Sequence, residues 1–171
     1  GAIVTDDKSI ADAVKVFRNY GSEKRYYNRV VGTNSRLDEM QAGLLRVRLS
    51  HLSELEDERK KICTRYLREI KNESIILPGI RRGATHIWHQ FVIRSDKREE
   101  LINYLTQKDI GTIIHYPIPP HMAEAYRYLD IPQGSLPITE KYADSVLSLP
   151  LYNGMTEEEQ SYVIEALNNF H

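Results

Sequence analysis

The sequence predicts an α/β protein: a strand and helix leading in, one long bridging helix, and a smaller C-terminal α/β unit. Three observations carry that prediction. Leu37, Met40, Leu44, Val47, Leu52, Leu55, Ile62, Tyr66 and Ile70 keep a near-heptad apolar stripe, and no Gly or Pro interrupts residues 44–71. That is the period of a helix with one covered face. After Asn72 the pattern changes to short β-rich runs around one helical window, the spacing of a β-α-β unit. Before Gly32, a β-branched run precedes an amphipathic window. The expected divisions are residues 1–35, a connecting helix within 36–73, and a small α/β domain over 74–171.

Taken in order, Ala2–Thr5 is short and β-branched and reads as a strand. A domain rarely opens in mid-strand, so this start reads as a cut-out piece of something longer, with an N-terminal edge strand as the plainer alternative. Asp6, Asp7 and Ser9 supply helix-start chemistry, and Ile10, Val14 and Phe17 give residues 8–20 one apolar face. Gly21 ends that helix. Residues 21–33 read as a polar, aromatic loop. Ser35 and Asp38 form a Ser-x-x-Asp start signal for the long helix, which is expected from about 36 to 71. Leu45 and Leu49 add a second apolar edge to its first half, more than one layer would cover. That half is expected to pack on another chain or on a domain outside this sequence.

Beyond Asn72, Ile75–Pro78 and Ile87–Ile93 read as strands, with Asp96 capping a helix over 97–108. Thr112–Tyr116 reads as a strand stopped by Pro117, Pro119 and Pro120. Residues 122–129 and 139–147 read as helices and 149–152 as extended chain. Thr156 with Glu159 makes a capping box for a last helix that buries Tyr162, Val163, Ala166, Leu167 and Phe170.

Composition excludes several functions. Net charge is -1, so no bulk field draws nucleic acid or an anionic membrane. No apolar run approaches the ~20 residues of a membrane span. Cys63 is the single cysteine, which leaves no disulfide framework and no thiolate metal site and fits a reducing cytoplasm. His86 and His89 fall on opposite faces of an extended segment, which argues against a shared metal. No metal site is expected.

Two places carry candidate chemistry. His115 and Tyr116 sit at a strand end, where α/β units place ligand contacts, although a packed histidine and a core tyrosine have the same spacing. Asn34 and Arg36 flank the start of the long helix. An amide, a guanidinium and free backbone N–H groups suit a phosphate, and an N-cap Asn with a solvated Arg is the plainer alternative.

Read as an ordered set, the motifs narrow the choice. They are Gly-Ala-Ile-Val-Thr-Asp-Asp, Arg-Asn-Tyr-Gly, Gly-x-Asn-Ser-Arg-Leu-Asp-Glu-x-Gln-Ala, Trp-His-Gln-Phe-Val-Ile-Arg, His-Tyr-Pro-x-Pro-x-His and Leu-Ser-Leu-Pro-x-Tyr. Together they resemble the C-terminal half of the DegT/DnrJ/StrS sugar aminotransferases, over essentially the whole chain. Gly-x-Asn-Ser-Arg joined to Gln-Ala is the specific part. The resemblance implies a fold type I enzyme dependent on pyridoxal 5′-phosphate (PLP). Such an enzyme converts a nucleotide-linked keto sugar to an amino sugar, with glutamate as the usual amino donor. It also implies a homodimer with shared sites, in which Asn34 reaches the cofactor phosphate of the neighbouring subunit and Arg36 lies close by as a substrate-binding residue. His115 and Tyr116 match residues near the sugar or its diphosphate. Asn-Ser-Arg-Leu with His-Tyr-Pro-x-Pro looks more like the 3-amino-sugar branch than the 4-amino branch.

One departure matters. In the family the Schiff-base lysine lies upstream of the segment matching Gly1, as does the aspartate that pairs with the pyridine nitrogen. Lys8, Lys15 and Lys24 do not stand in its context. No catalytic lysine is therefore assigned, and the chain alone is expected to be inactive, not to bind PLP, and to bury its apolar helix in a dimer. A dehydratase of the same family, with histidine in place of that lysine, and a non-catalytic dimerisation module are the alternatives.

Overall fold

The computed structural model describes all residues, Gly1–His171. They form two compact units, Gly1–His51 and Leu52–His171, divided inside the stretch that the apolar stripe assigns to one connecting helix. No helix is long and apolar enough to cross a membrane.

In the first unit, α1 (Lys8–Phe17) begins where the Asp7 carboxylate accepts the N–H groups of Ser9 and Ile10. This satisfies donors that a helix start leaves open. Residues 21–33, expected as loop, contain a short antiparallel hairpin, β1 (Ser22–Lys24) with β2 (Tyr27–Asn28). Ala2–Thr5 pairs with nothing in the chain and is not a strand, since a strand exists only through its neighbour. The run that the stripe joins is two helices, α2 (Glu39–Ser50) and α3 (Leu52–Glu69), interrupted at His51. Ser50 Oγ donates back to Val47 O at 2.7 Å, and the His51 N–H bonds Arg48 O, three residues back. Both bonds tighten the last turn and end the α-helical ladder. The capping box expected from Ser35 is not formed: the N-cap is Asp38, with no side-chain bond to the helix.

In the second unit, the central pair is β3 (Phe91–Arg94) antiparallel to β4 (Val146–Leu149). Single bridges add Ile76 beside Arg94 and Ile113 beside Ser148, so the extended segments lie in the order 76, β3, β4, 113. The chain path of the β-α-β crossover through α4 (Arg98–Thr106) is present, with β4 inserted between its two arms, but the second arm, 112–116, expected as a strand, keeps only the single bridge at Ile113. α4 is preceded by Ser95, whose Oγ accepts the Lys97 N–H; Asp96 is not the cap. The strand expected over 87–93 is shortened because Trp88 takes a positive φ of 53°. Residues 146–147, expected at a helix end, belong to β4, and α5 (Pro137–Ser145) stops before them. Two 3-10 turns, Pro120–Met122 and Glu124–Leu129, occupy the stretch expected as a short helix. α6 (Glu157–Asn168) starts with the Thr156–Glu159 capping box.

The core of this unit collects Ile62, Cys63 and Tyr66 of α3, Phe91 and Ile93 of β3, Leu101 and Leu105 of α4, Leu147 of β4 and Leu167 of α6. Tyr66 packs edge-on against Phe91 and sends its hydroxyl to Pro150 O at 3.1 Å, so the buried O–H has an acceptor. Asn72 ties the two chain ends of the layer: its Nδ2 donates to Leu167 O and Phe170 O at 2.8 and 2.6 Å.

Candidate functional site

In the first unit, two glycines build the loop that carries Asn34 and Arg36. Gly21 has φ +74°, and a Cβ there would lie 1.8 Å from Val30 O. A Cβ on Gly32 would lie 2.2 Å from the Gly21 backbone nitrogen. Two chain segments therefore cross at bare backbone, an approach that only glycine permits. The crossing is held by the bonds from Thr33 N–H to Phe17 O and from Tyr20 N–H to Thr33 O, at 2.8 and 2.9 Å. It seats Asn34 opposite Asn19 in an antiparallel bridge.

Beyond the bridge, Arg36 Nε donates to Asn34 Oδ1 at 3.1 Å, which orients the Asn34 amide so that its N–H donors remain. The Arg36 guanidinium lies over the Tyr20 ring, 5.7 Å from its centroid. Both polar side chains are exposed. The helix terminus is not part of this arrangement. α2 opens at Glu39 behind Asp38, two acids whose negative charge opposes an anion at that helix start. The sequence reading of that helix start as an anion site is corrected accordingly, while the Asn34–Arg36 pair remains.

Next to the pair is a cavity of about 550 Å³ lined by Lys15, Arg18 and Arg36 together with Asp12 and Glu23. Asp12 is paired with Lys8 and Lys15, and Glu23 with Arg29 at 2.6 Å. The Lys8 bond holds the Asp12 carboxyl below its ordinary value. Arg18 and Arg36 thus give the cavity an excess of positive charge. A guanidinium and amide N–H donors fit the oxygens of a phosphate.

In the second unit, His115 and Tyr116 lie beyond the Ile113–Ser148 bridge. His115 Nδ1 is 2.9 Å from Ser148 Oγ on the neighbouring β4. That bond commits one ring nitrogen and leaves Nε2 for a ligand. The Tyr116 ring stands edge-on to the imidazole at 5.3 Å and is 72% exposed, so it is not a core tyrosine. Ser148 was not among the candidates read from the sequence. The available signal was a polar residue inside the apolar run 146–151.

Asn34 and Arg36 are thus brought together in one unit, and His115 and Tyr116 in the other. Cys63 is fully buried, and burial pushes its thiol up to about 12, which removes it as a nucleophile at neutral pH. No cluster of three or more His, Cys, Asp or Glu side chains could hold a metal ion.

Comparison with known proteins matches residues 1–168 to the model of the DegT/DnrJ/EryC1/StrS aminotransferase family. A relative from Aneurinibacillus thermoaerophilus, named dTDP-3-amino-3,6-dideoxy-alpha-D-galactopyranose transaminase, is 45% identical over 170 residues. That alignment covers 99% of this chain and 46% of the relative, so the chain spans about half the length of the curated relatives it matches. Among solved structures, S. venezuelae DesV in complex with a ketimine intermediate superposes with a TM-score of 0.90 at 39% identity, over 96% of this chain and 45% of that one. NtdA of Bacillus subtilis, with bound cofactor PMP, superposes with a TM-score of 0.82 at 28% identity, over 96% of this chain and 40% of that one.

Proposed function

The chain belongs to the DegT/DnrJ/EryC1/StrS aminotransferase family, and from that premise we propose that it is the C-terminal half of a cytoplasmic PLP-dependent aminotransferase. Its reaction turns a nucleotide-linked 3-keto sugar into a 3-amino sugar, with glutamate as donor. The observation that carries this reading is the likeness, along nearly the whole chain, to a relative named for a dTDP-3-amino sugar. The fold likeness to a PMP-bound structure supports the cofactor class.

PLP, when bound, supplies the electron sink that amino transfer requires. Asn34 binds the cofactor phosphate through its amide N–H donors, and Arg36 beside it offers its positive charge to the substrate. The Asn34–Arg36 bond fixes both side chains before a ligand arrives, which lowers the ordering cost of binding. His115, held by Ser148, offers Nε2 to the sugar or its diphosphate, and the exposed Tyr116 hydroxyl offers a second contact. The working assembly is a homodimer in which the Asn34 and Arg36 of one subunit serve the site of the other. α2 has no buried residue, which supports a surface that further polypeptide covers. The chain by itself has no lysine in the context of the Schiff-base residue and performs no transfer.

The test fuses this chain to the N-terminal half of the A. thermoaerophilus relative and assays transfer from glutamate to a dTDP-linked 3-keto-6-deoxyhexose. Transfer is expected, with Asn34→Ala weakening cofactor retention by about 1–3 kcal/mol, the cost of one lost bond to a charged group. A folded, PLP-loaded fusion that turns over no 3-keto sugar nucleotide would contradict the proposal.

A further inference from the structure

The stretch between Tyr116 and α5 is unusual in its burial. From Pro117 to Leu136, only Pro119 and His121 are buried. Its short 3-10 turns supply no apolar face that packs into the core. The segment nevertheless returns to one carboxylate. Glu140, in the first turn of α5, accepts the Gly134 N–H at 2.9 Å through both oxygens and the Leu136 N–H at 3.2 Å. The same Oε1 is 3.1 Å from Nε2 of His121, whose side chain is only 4% exposed. A single side chain therefore gathers both ends of the segment. The backbone N–H of Gly134 is the chief influence holding the Glu140 carboxyl below its ordinary value.

His121 has a second peculiarity: its Nδ1 is buried with no partner. A buried imidazole with one nitrogen unbonded is held in place by the other alone. An unpaired lone pair costs less than an unpaired buried N–H, so the ring proton sits on Nε2 and is donated to Glu140. The bond is directional, and four residues of chain, three of them proline, separate His121 from Tyr116. Proline fixes φ, so that chain has little freedom to decouple the two.

We propose that His121 and Glu140 are positioning residues: their bond closes the 117–136 segment and sets where Tyr116 stands relative to His115. The role rests on the reading of His115 and Tyr116 as substrate-side residues. Neither residue touches substrate in this account; both act through the segment between them and the site. Without the clasp, Tyr116 would swing free on an exposed loop, and its edge-on contact with the His115 ring would be lost.

The experiment uses the 171-residue chain without ligand and reads two NMR quantities: amide exchange, and the ring-current shift that Tyr116 imposes on the His115 ring protons. In Glu140→Ala, the Gly134 and Leu136 amides are expected to exchange at least about tenfold faster, while β3 and β4 keep their protection. Glu140→Gln retains an acceptor and is expected to hold both amides within about threefold of the parent chain. His121→Ala leaves Glu140 bonded to the two amides but is expected to abolish the ring-current shift, and His121→Gln, which keeps a donor, to restore much of it. A shift unchanged in both alanine variants overturns the proposal. Where Glu140→Ala lowers protection throughout the unit, the His121 pair decides, because there the amide bonds stay in place. Neither readout involves a nucleotide sugar, so the aminotransferase reading and the clasp stand or fall separately.

Discussion

The two compact units are built on opposite terms. Leu52–His171 closes around its own core, from Ile62 and Tyr66 through Phe91 and Leu105 to Leu167 and Phe170. Gly1–His51 buries only Gly21 and Ser22, and both lie at the glycine crossing. Its apolar residues face outward: Val4, Val31 and Met40 are each more than four-fifths exposed, and Leu44, Val47 and Leu49 of α2 are all exposed. One unit is held by burial, the other by backbone bonds around a tight crossing. A surface this apolar on one unit supports the proposed interface with further polypeptide. Asn34, proposed to hold the cofactor phosphate, and Arg36, proposed to bind substrate, sit on the unit that does not close by itself.

This contrast can be broken most sharply by truncating one apolar side chain in each unit. Phe91→Ala is expected to lose about 3–5 kcal/mol, because the ring is fully buried against Tyr66 and Trp88. Leu44→Ala is expected to change stability by no more than about 0.5 kcal/mol in the isolated chain. Urea unfolding followed through Trp88, the single tryptophan, measures the first, and the loss of helical circular dichroism in the same titration measures the second. Equal losses would show that α2 is already covered and would end the contrast.

Gly21→Ala comes next. A methyl group 1.8 Å from Val30 O at φ +74° must push the crossing apart, at a cost of about 1–3 kcal/mol. The expected result is loss of the Tyr20–Thr33 amide protection with the Trp88 transition unmoved. A shift of the Trp88 transition would show that the units are energetically joined.

Acid gives the smallest and most graded effect. Glu140 and Glu159 are held below their ordinary value chiefly by backbone N–H donors, Glu69 chiefly by the side chain of Arg68, and Glu58 chiefly by the side chain of Asn153. A carboxylate with a depressed folded-state value contributes stability above its unfolded value, about 4.3 for Glu. That contribution is lost as pH falls through the depressed values. The closed unit is therefore expected to keep its urea midpoint from neutral pH down to about 5 and to lose it progressively below about 4. A midpoint that falls between pH 7 and 5 would point to histidine instead.

How far these features can be read in the sequence depends on range. The Thr156–Glu159 box and the Asp7 start of α1 rest on residues within one turn, and the structure has them as read. The face of the last helix is read only in part: Val163, Ala166 and Leu167 are buried, and so is Phe170 just past the end of α6, but Tyr162 is half exposed. β4 was misplaced because all four of its residues are buried, so no alternation marks it as a strand. The break at His51 comes from a hydroxyl competing for a carbonyl, which leaves the apolar period untouched. At the candidate site, His115 and Tyr116 stand out at a strand end. Their supports do not: Ser148 is 33 residues from His115, and Glu140 is 19 from His121. Side-chain pairs at such distances follow from the register of β4 against residue 113 and from the path of the loop, which no local pattern records.

This chain is proposed to contribute Asn34 to the phosphate of a PLP site whose lysine it does not contain. The direct measurement is an absorbance titration of the 171-residue chain with PLP, followed by borohydride reduction and peptide mapping. No saturable imine is expected, and only scattered labelling of surface lysines. A saturable imine trapped at one lysine, with amino transfer from glutamate, would contradict it.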